Sequence, residues 1–198
     1  MRQAQSYYKG TPYGFISGGD PKEIPRLKYQ DLIEFHRQFY HPSQARIYTY
    51  GPESALENLS WLERQLALRL EKGIPPKPKI SFPTQNFHPP LGQRFHINAP
   101  LDPVHPVEKQ ARFAMTFALP ELSDSTFDFY FAFGVLSHLL IEGQNAPFYQ
   151  ALIESGLGDE YVVGTGLDTH NRWPTFTIGL EGTSHMKFDE IERTVKDT

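Results

Sequence analysis

Eight histidines in a chain of 198 residues raise the question of a metal first. A zinc hydrolase needs two His on one helical face and a Glu nearby to take a proton from metal-bound water. H-E-x-x-H and the inverted H-x-x-E-H both supply that set. Neither occurs. At the offset where the inverted motif places its Glu, His36 is followed by Phe39, His41 by Gln44 and His138 by Ile141. His105 does have Glu108 there, but Lys109 stands where the second His belongs. His36 and His41 are five apart, and Pro42 behind the second suits a helix end better than a ligand pair.

Other chemistries fare no better. Cysteine is absent, which excludes thiolate zinc sites, disulfide scaffolds and Cys nucleophiles together. Glu142 and Glu154 flank the Gly-Gln-Asn turn and the short helix after it and could be imagined as an acid/base pair, but charges at helix ends are the commoner meaning. No G-x-S-x-G elbow supports a serine nucleophile. Ser17-Gly18-Gly19-Asp20 matches neither a dinucleotide fingerprint nor a Walker loop and reads as a tight turn. Pro75-Pro76-Lys77-Pro78 satisfies P-x-x-P yet reads as linker, and Asn58-Leu59-Ser60 is a sequon in mid-helix. The aromatic run Phe127 to Phe133 could line a ligand cavity, though core packing is the simpler account. The residues therefore assign no catalytic, cofactor-binding or metal position.

Composition bounds the class. At 39% hydrophobic and 21% charged, with 15 Phe and 10 Tyr, the chain reads as globular with room for one or two domains. A net charge of −4 without a basic stripe disfavours nucleic acid, which demands clustered Lys and Arg. No stretch approaches the roughly 20 apolar residues of a membrane span, and no targeting segment is recognisable before Tyr7.

The elements that must position any site follow from periodicity. Residues 7 to 25 read as loop with one short extended stretch. Tyr29, Leu32, Ile33, His36 and Phe39 recur at helical spacing from Lys28 to Tyr40, and Pro42 ends that helix. Arg46 to Tyr50 reads as a strand. A second helix spans about Glu53 to Glu71, with Leu56, Leu59, Leu62, Leu66 and Leu70 on one face. Six prolines between Ile74 and Gly92 mark an interdomain linker. Beyond it come a short strand at Gln93 to Asn98 and an alternating one at Gln110 to Ala118. A helix capped near Ser123 runs to about Glu142, apolar almost all round and so expected to be deeply buried. A shorter helix (Ala146 to Ser155), strands at Tyr161 to Leu167 and Thr175 to Glu181, and a last helix from near Lys187 complete the order.

That order carries a resemblance. Tyr13-Gly14-Phe15-Ile16-Ser17-Gly18-Gly19-Asp20-Pro21, Ile24-Pro25, Phe35-His36, Tyr40-His41-Pro42-Ser43 and Thr49-Tyr50-Gly51 resemble the presequence protease branch of the pitrilysin-type, inverted-motif zinc metallopeptidases. So does the block Ala146-Pro147-Phe148-Tyr149-Gln150-Ala151-Leu152-Ile153-Glu154-Ser155-Gly156-Leu157-Gly158. One departure is Lys28, where a Thr or Ser cap is expected before Tyr29; the loss is worth on the order of 1 kcal/mol of helix stability.

The resemblance implies an α/β fold of the α+β sandwich type, with mixed, antiparallel-rich sheets and helices packed on one face. It implies a parent zinc endopeptidase of four homologous domains in two halves that close on unfolded peptides, such as cleaved mitochondrial presequences, in the mitochondrial matrix. Its zinc ligands, two His of H-x-x-E-H and a downstream Glu, would lie upstream of Met1. This chain is then an internal fragment: residues 1–73 end the first domain, 74–92 are the linker, and 93–198 are most of a second domain cut within its last helix. Its expected role is scaffold and chamber wall with no zinc of its own, in partnership with unfolded peptides and the remaining peptidase domains. The alternative is a short non-catalytic protein that binds peptides or a peptidase subunit.

Overall fold

The computed structural model describes residues 2–69 and 87–198, and the chain divides into two compact units. One comprises Met1–Gly14 together with His88–Thr198, and the other Phe15–Phe87.

The first unit is built on strand β4 (Thr175–Thr183), which is paired along both edges. On one edge lies β1 (Ala111–Ala118), antiparallel, with Phe113 opposite Leu180, Met115 opposite Ile178 and Phe117 opposite Phe176. On the other edge two short strands lie end to end, β2 (Glu160–Tyr161) opposite Glu181 and Leu180, and β3 (Gly166–Asp168) opposite Thr177 to Thr175. All pairings are antiparallel. Because side chains alternate along a strand, Phe176, Ile178 and Leu180 share one face of β4, and Thr175, Thr177 and Gly179 share the other.

The apolar face carries the core. Phe176, Ile178 and Leu180 pack with Phe148, Leu152, Leu157, Ile191 and Val195, and Phe113, Met115, Phe133, Leu140 and Ile141 close around them. Beside β1, three helical segments and their ends supply those partners: α4 (Phe127–Ile141), a π-type helix at Tyr149–Glu154, and α5 (Phe188–Asp197). Ile191 and Val195 are one turn apart on α5 and both buried, the minimal stripe by which a short helix docks. Ser184 caps the turn leading into α5, its Oγ accepting from the Met186 amide at 3.3 Å. On the opposite face Thr116 and Thr177 meet hydroxyl to hydroxyl at 3.2 Å. The antiparallel sheet with helices on one face is the α/β arrangement expected.

Two glycines shape the sheet. Between Ala111 and Phe113 the register slips by one residue on β4, and Gly182 takes up the bulge with φ of 69°. At Gly179 an added Cβ would lie 2.4 Å from Val162 Cγ2 and 2.7 Å from the Phe113 carbonyl oxygen, so no side chain fits.

The N-terminal arm belongs to this same unit. It comprises α1 (Arg2–Tyr7) and a single helical turn at Pro12–Gly14. The second unit holds α2 (Tyr29–Phe39) and α3 (Ala55–Arg69). Lys28 occupies the cap position of α2; the Asp31 carboxylate accepts from its amide at 2.9 Å, so half of a capping box survives without the hydroxyl. In α3 the box is complete: Ser54 Oγ accepts from the Glu57 amide, and Glu57 accepts from the Ser54 amide at 2.9 Å. No residue of α2 is buried, and Leu56, Leu59 and Trp61 of α3 are exposed.

Several expectations are corrected. Arg46 to Tyr50 and Gln93 to Asn98 join no ladder, since β-composition alone makes no strand where no partner edge is within reach among the described residues. The single strand expected at Tyr161 to Leu167 is two, because Gly164 (φ of 93°) turns the chain out and Thr165 N bonds back to the Val162 carbonyl at 3.1 Å. The short helix after Asn145 takes π geometry over most of its length. Helix α4 is not buried all round: Phe127, Phe131, Val135 and Leu139 form a stripe at four-residue spacing that is 52 to 70% exposed. Leu70, Glu71 and most of the proline-rich linker lie outside the described residues.

Gly179→Ala is expected to destabilise the chain by about 1–3 kcal/mol in urea unfolding, because backbone on β1 cannot yield. Gly134→Ala on α4, where the nearest atom to a new Cβ is 4.0 Å away, is expected to stabilise by about 0.5–1 kcal/mol.

Candidate functional site

The histidines are dispersed by the fold. His36 stacks on Tyr40 with ring centroids 4.8 Å apart, which spends its face on packing at the end of α2. His41 is buried and its carbonyl accepts from the Gln44 amide at 2.9 Å, closing the turn that Pro42 begins. His138 pairs with Glu142 one turn on along α4, Nδ1 to Oε2 at 2.9 Å. His105 pairs with Asp102 at 2.9 Å, and His170 with Asp168 at 3.0 Å. Each is a two-member pair at the surface. Among the described residues no group of three or more His, Asp or Glu converges as zinc requires. The donor set of these residues does not fit a catalytic zinc.

The carboxylate pair is not assembled either. Glu142 turns to His138, while Glu154 is exposed at the end of the π-type helix. Glu108 lies in a short helical turn beside Lys109, whose ammonium reaches across to Asp159 at 2.8 Å. The Ser17-Gly18-Gly19-Asp20 segment is a tight turn: Gly19 N bonds the Ile16 carbonyl at 2.9 Å with φ of 82°, and Asp20 Oδ1 accepts from the Lys22 amide. Asn58 and Ser60 lie within α3. Pro75-Pro76-Lys77-Pro78 falls outside the described residues. No helix among the described residues is long and apolar enough to cross a membrane.

A more ordered polar feature is the loop before β1. The Gln110 amide spans it, its Oε1 accepting from Asp102 N at 2.7 Å and its Nε2 donating to the carbonyls of Asp102 and His105 at 2.7 and 2.6 Å. Asp102 in turn accepts from the Val104 amide and meets His105, and these hydrogen bonds hold its carboxyl below the usual range. Every donor and acceptor named here is consumed within the loop, so the cluster is structural. Glu192 on α5 is likewise held low, chiefly by Lys196, with Arg94 adding to it.

What the geometry offers instead is surface. The stripe Phe127, Phe131, Val135 and Leu139 on α4 is apolar, and exposed apolar area of this kind marks a contact face. The Tyr7, Tyr8, Tyr13 and Trp173 cluster, which joins residues far apart in sequence, carried no sequence signal at all.

The family model for the "Peptidase M16 inactive domain" matches residues 26–198, and the chain therefore belongs to the M16 peptidase family. Within that family its similarity is to presequence proteases. The mitochondrial presequence protease of Schizosaccharomyces pombe is 38% identical over 195 residues, covering 96% of this chain and 18% of that protein. The mouse mitochondrial presequence protease is 35% identical over 198 residues, covering 94% and 18%. Presequence protease 1, chloroplastic/mitochondrial, of Arabidopsis thaliana is 35% identical over 186 residues, covering 94% and 17%. The chain thus spans less than a fifth of the length of these relatives.

One buried group gives a direct test of the core. The Tyr161 hydroxyl is buried and has no hydrogen-bond partner among the described residues. Burial, with neighbouring Tyr149 adding to it, pushes its phenol up to about 12. The folded state therefore holds its proton more tightly than the unfolded state, whose phenol ionises near 10. This contribution to stability is whole below pH 10 and is lost as pH rises toward 12. Tyr161→Phe is expected to raise stability by about 1 kcal/mol at neutral pH, since an unpaired hydroxyl leaves the core, and to flatten the fall between pH 10 and 12 in a urea-melt series.

Proposed function

We propose that this chain is a scaffold and chamber-wall segment of a presequence-protease-like zinc endopeptidase that degrades unfolded peptides, including cleaved presequences, in mitochondria. The observation that carries the reading is the pairing of near-complete coverage of the chain with less than a fifth of the length of its relatives. The family model's description as an inactive domain is consistent with a segment that shapes the enzyme without performing its chemistry.

In this reading residues 1–73 close the first peptidase domain, 74–92 connect, and 93–198 form most of the second. The zinc is held elsewhere in the parent protein by two His and a Glu. Hydrolysis needs a metal to make a nucleophile of water and a base to receive its proton. The described residues bring together no such set, whereas the apolar stripe on α4 gives them something to pack against the remaining domains. The same stripe also supports a second reading, a separate non-catalytic protein that binds peptides or a peptidase subunit.

Two measurements test the proposal. The purified 198-residue chain should hold no stoichiometric zinc and show no chelator-sensitive cleavage of an unstructured peptide; finding both would overturn it. A chimera of the Schizosaccharomyces pombe protease carrying this chain in place of its own matching segment should degrade such a peptide at a rate within about tenfold of the parent. A chimera that folds and loads zinc yet cannot hydrolyse peptide favours the second reading.

A further inference from the structure

We propose that residues 2–14 are an aromatic latch, with Tyr8 as its pin, tying the end of the first peptidase domain to the second independently of the proline-rich connection. The proposal rests on the domain division given above, under which these residues belong to the first domain by sequence. By packing they belong with the second.

The latch is assembled from both sides. Helix α1 delivers Tyr7 and Tyr8, whose rings meet edge to face at 4.7 Å. Tyr8 is 4% exposed, and its hydroxyl donates to the Trp173 carbonyl at 2.7 Å across 165 residues of sequence. The Asn171 amide approaches the same hydroxyl at 3.5 Å. Tyr13 then lies against Tyr8 at 5.7 Å and meets Trp173 edge-on at 6.0 Å, so the arm grips the indole and its backbone together. Edge-to-face aromatic pairs add stabilisation beyond the area they bury.

Each side of the contact is also braced by bonds of its own. The Tyr8 carbonyl accepts from Thr11 N at 3.0 Å and from Thr11 Oγ1 at 2.8 Å, and Gly14 N bonds the Thr11 carbonyl at 3.1 Å. That turn is tight enough that a Cβ on Gly14 would lie 2.6 Å from the Tyr8 carbonyl oxygen. On the receiving side the Arg172 guanidinium sits 5.6 Å from the Trp173 ring centroid and is paired with Glu121 at 2.5 Å. The carbonyls of Arg172 and Pro174 accept from Leu122 N and Leu119 N, and Pro174 is fully buried. Local bonds of this kind reduce the freedom that the contact itself must restrict.

The consequence is topological. Past Gly14 the chain enters the unit Phe15–Phe87 and returns at His88. Both ends of that excursion thus start from the same unit, Gly14 held there through Tyr8 and His88 as part of it.

Cutting the connection tests this. A protease recognition sequence placed between Pro75 and Pro83 of the full chain lets the covalent fastening be severed. The wild-type halves are expected to co-elute in gel filtration after cleavage. Tyr8→Phe, which keeps the ring and loses the bond to Trp173, should weaken their association about tenfold, and Tyr8→Ala should separate them. Amide exchange at Ile178 and Leu180 confirms that the second domain stays folded in each case. Wild-type halves that part on cleavage overturn the latch, and so do Tyr8→Ala halves that stay together as the wild type does. Should Tyr8→Ala fail to fold, acrylamide quenching in a Trp61→Phe background, where Trp173 is the remaining tryptophan, decides the matter with Tyr8→Phe in the uncut chain. Increased quenching supports the latch; unchanged quenching overturns it. None of these readouts involves hydrolysis, so their failure leaves the peptidase reading standing, and a failed chimera leaves the latch standing.

Discussion

Strand β4 is the constraint on which the sheet unit depends. A backbone strand taken out of water must find hydrogen-bond partners on both edges, and β4 finds β1 on one and the tandem β2 and β3 on the other. Only then can Ile178 and Leu180 sit fully buried beneath the helices, with Thr175 and Thr177 buried on the reverse. The close approach at Gly179 and the bulge at Gly182 are what this double pairing demands of the backbone. Helix α5 reaches the core through Ile191 and Val195, with Phe188 packed beside them against Phe113.

The contrast with the other unit is instructive. Helices α2 and α3 have sound local grammar: Asp31 and Glu57 both reach back to their cap residues, and i,i+3 ion pairs such as Glu34 with Arg37 decorate the surface. Yet their apolar faces are largely exposed. Local signals determine that a helix forms, but they do not supply what covers it. The same division separates the two faces of α4, one against the sheet and one bare.

That difference explains what could be read from the residues in order. The alternation Ala111, Phe113, Met115 and the run Phe176, Ile178, Leu180 were legible because a half-buried strand writes its burial directly into a period of two. Helix α4 was legible in extent, while its burial was misjudged, because an all-apolar surface looks the same whether a neighbour is present or not. Arg46 to Tyr50 has strand composition and no ladder, since pairing is a property of two segments. The absence of H-x-x-E-H could be read one residue at a time, and the family by the order of its blocks. The contact of Tyr8 with Trp173 lay beyond such reading, because no periodicity links positions so far apart.

The same separation sets a schedule for synthesis. Tyr8 leaves the ribosome 165 residues ahead of Trp173. At ordinary elongation rates that interval is roughly 10 to 30 s, far longer than a helix or a hairpin needs to form. Helices α2 and α3 have ample time to fold meanwhile, and the arm must wait with its three tyrosines uncovered. Strand β1 (Ala111–Ala118) waits too, for its partner β4 comes only at Thr175–Thr183. Early segments therefore wait on late ones: β1 has its partner only once β4 is made, and the arm has its own only once Trp173 is out.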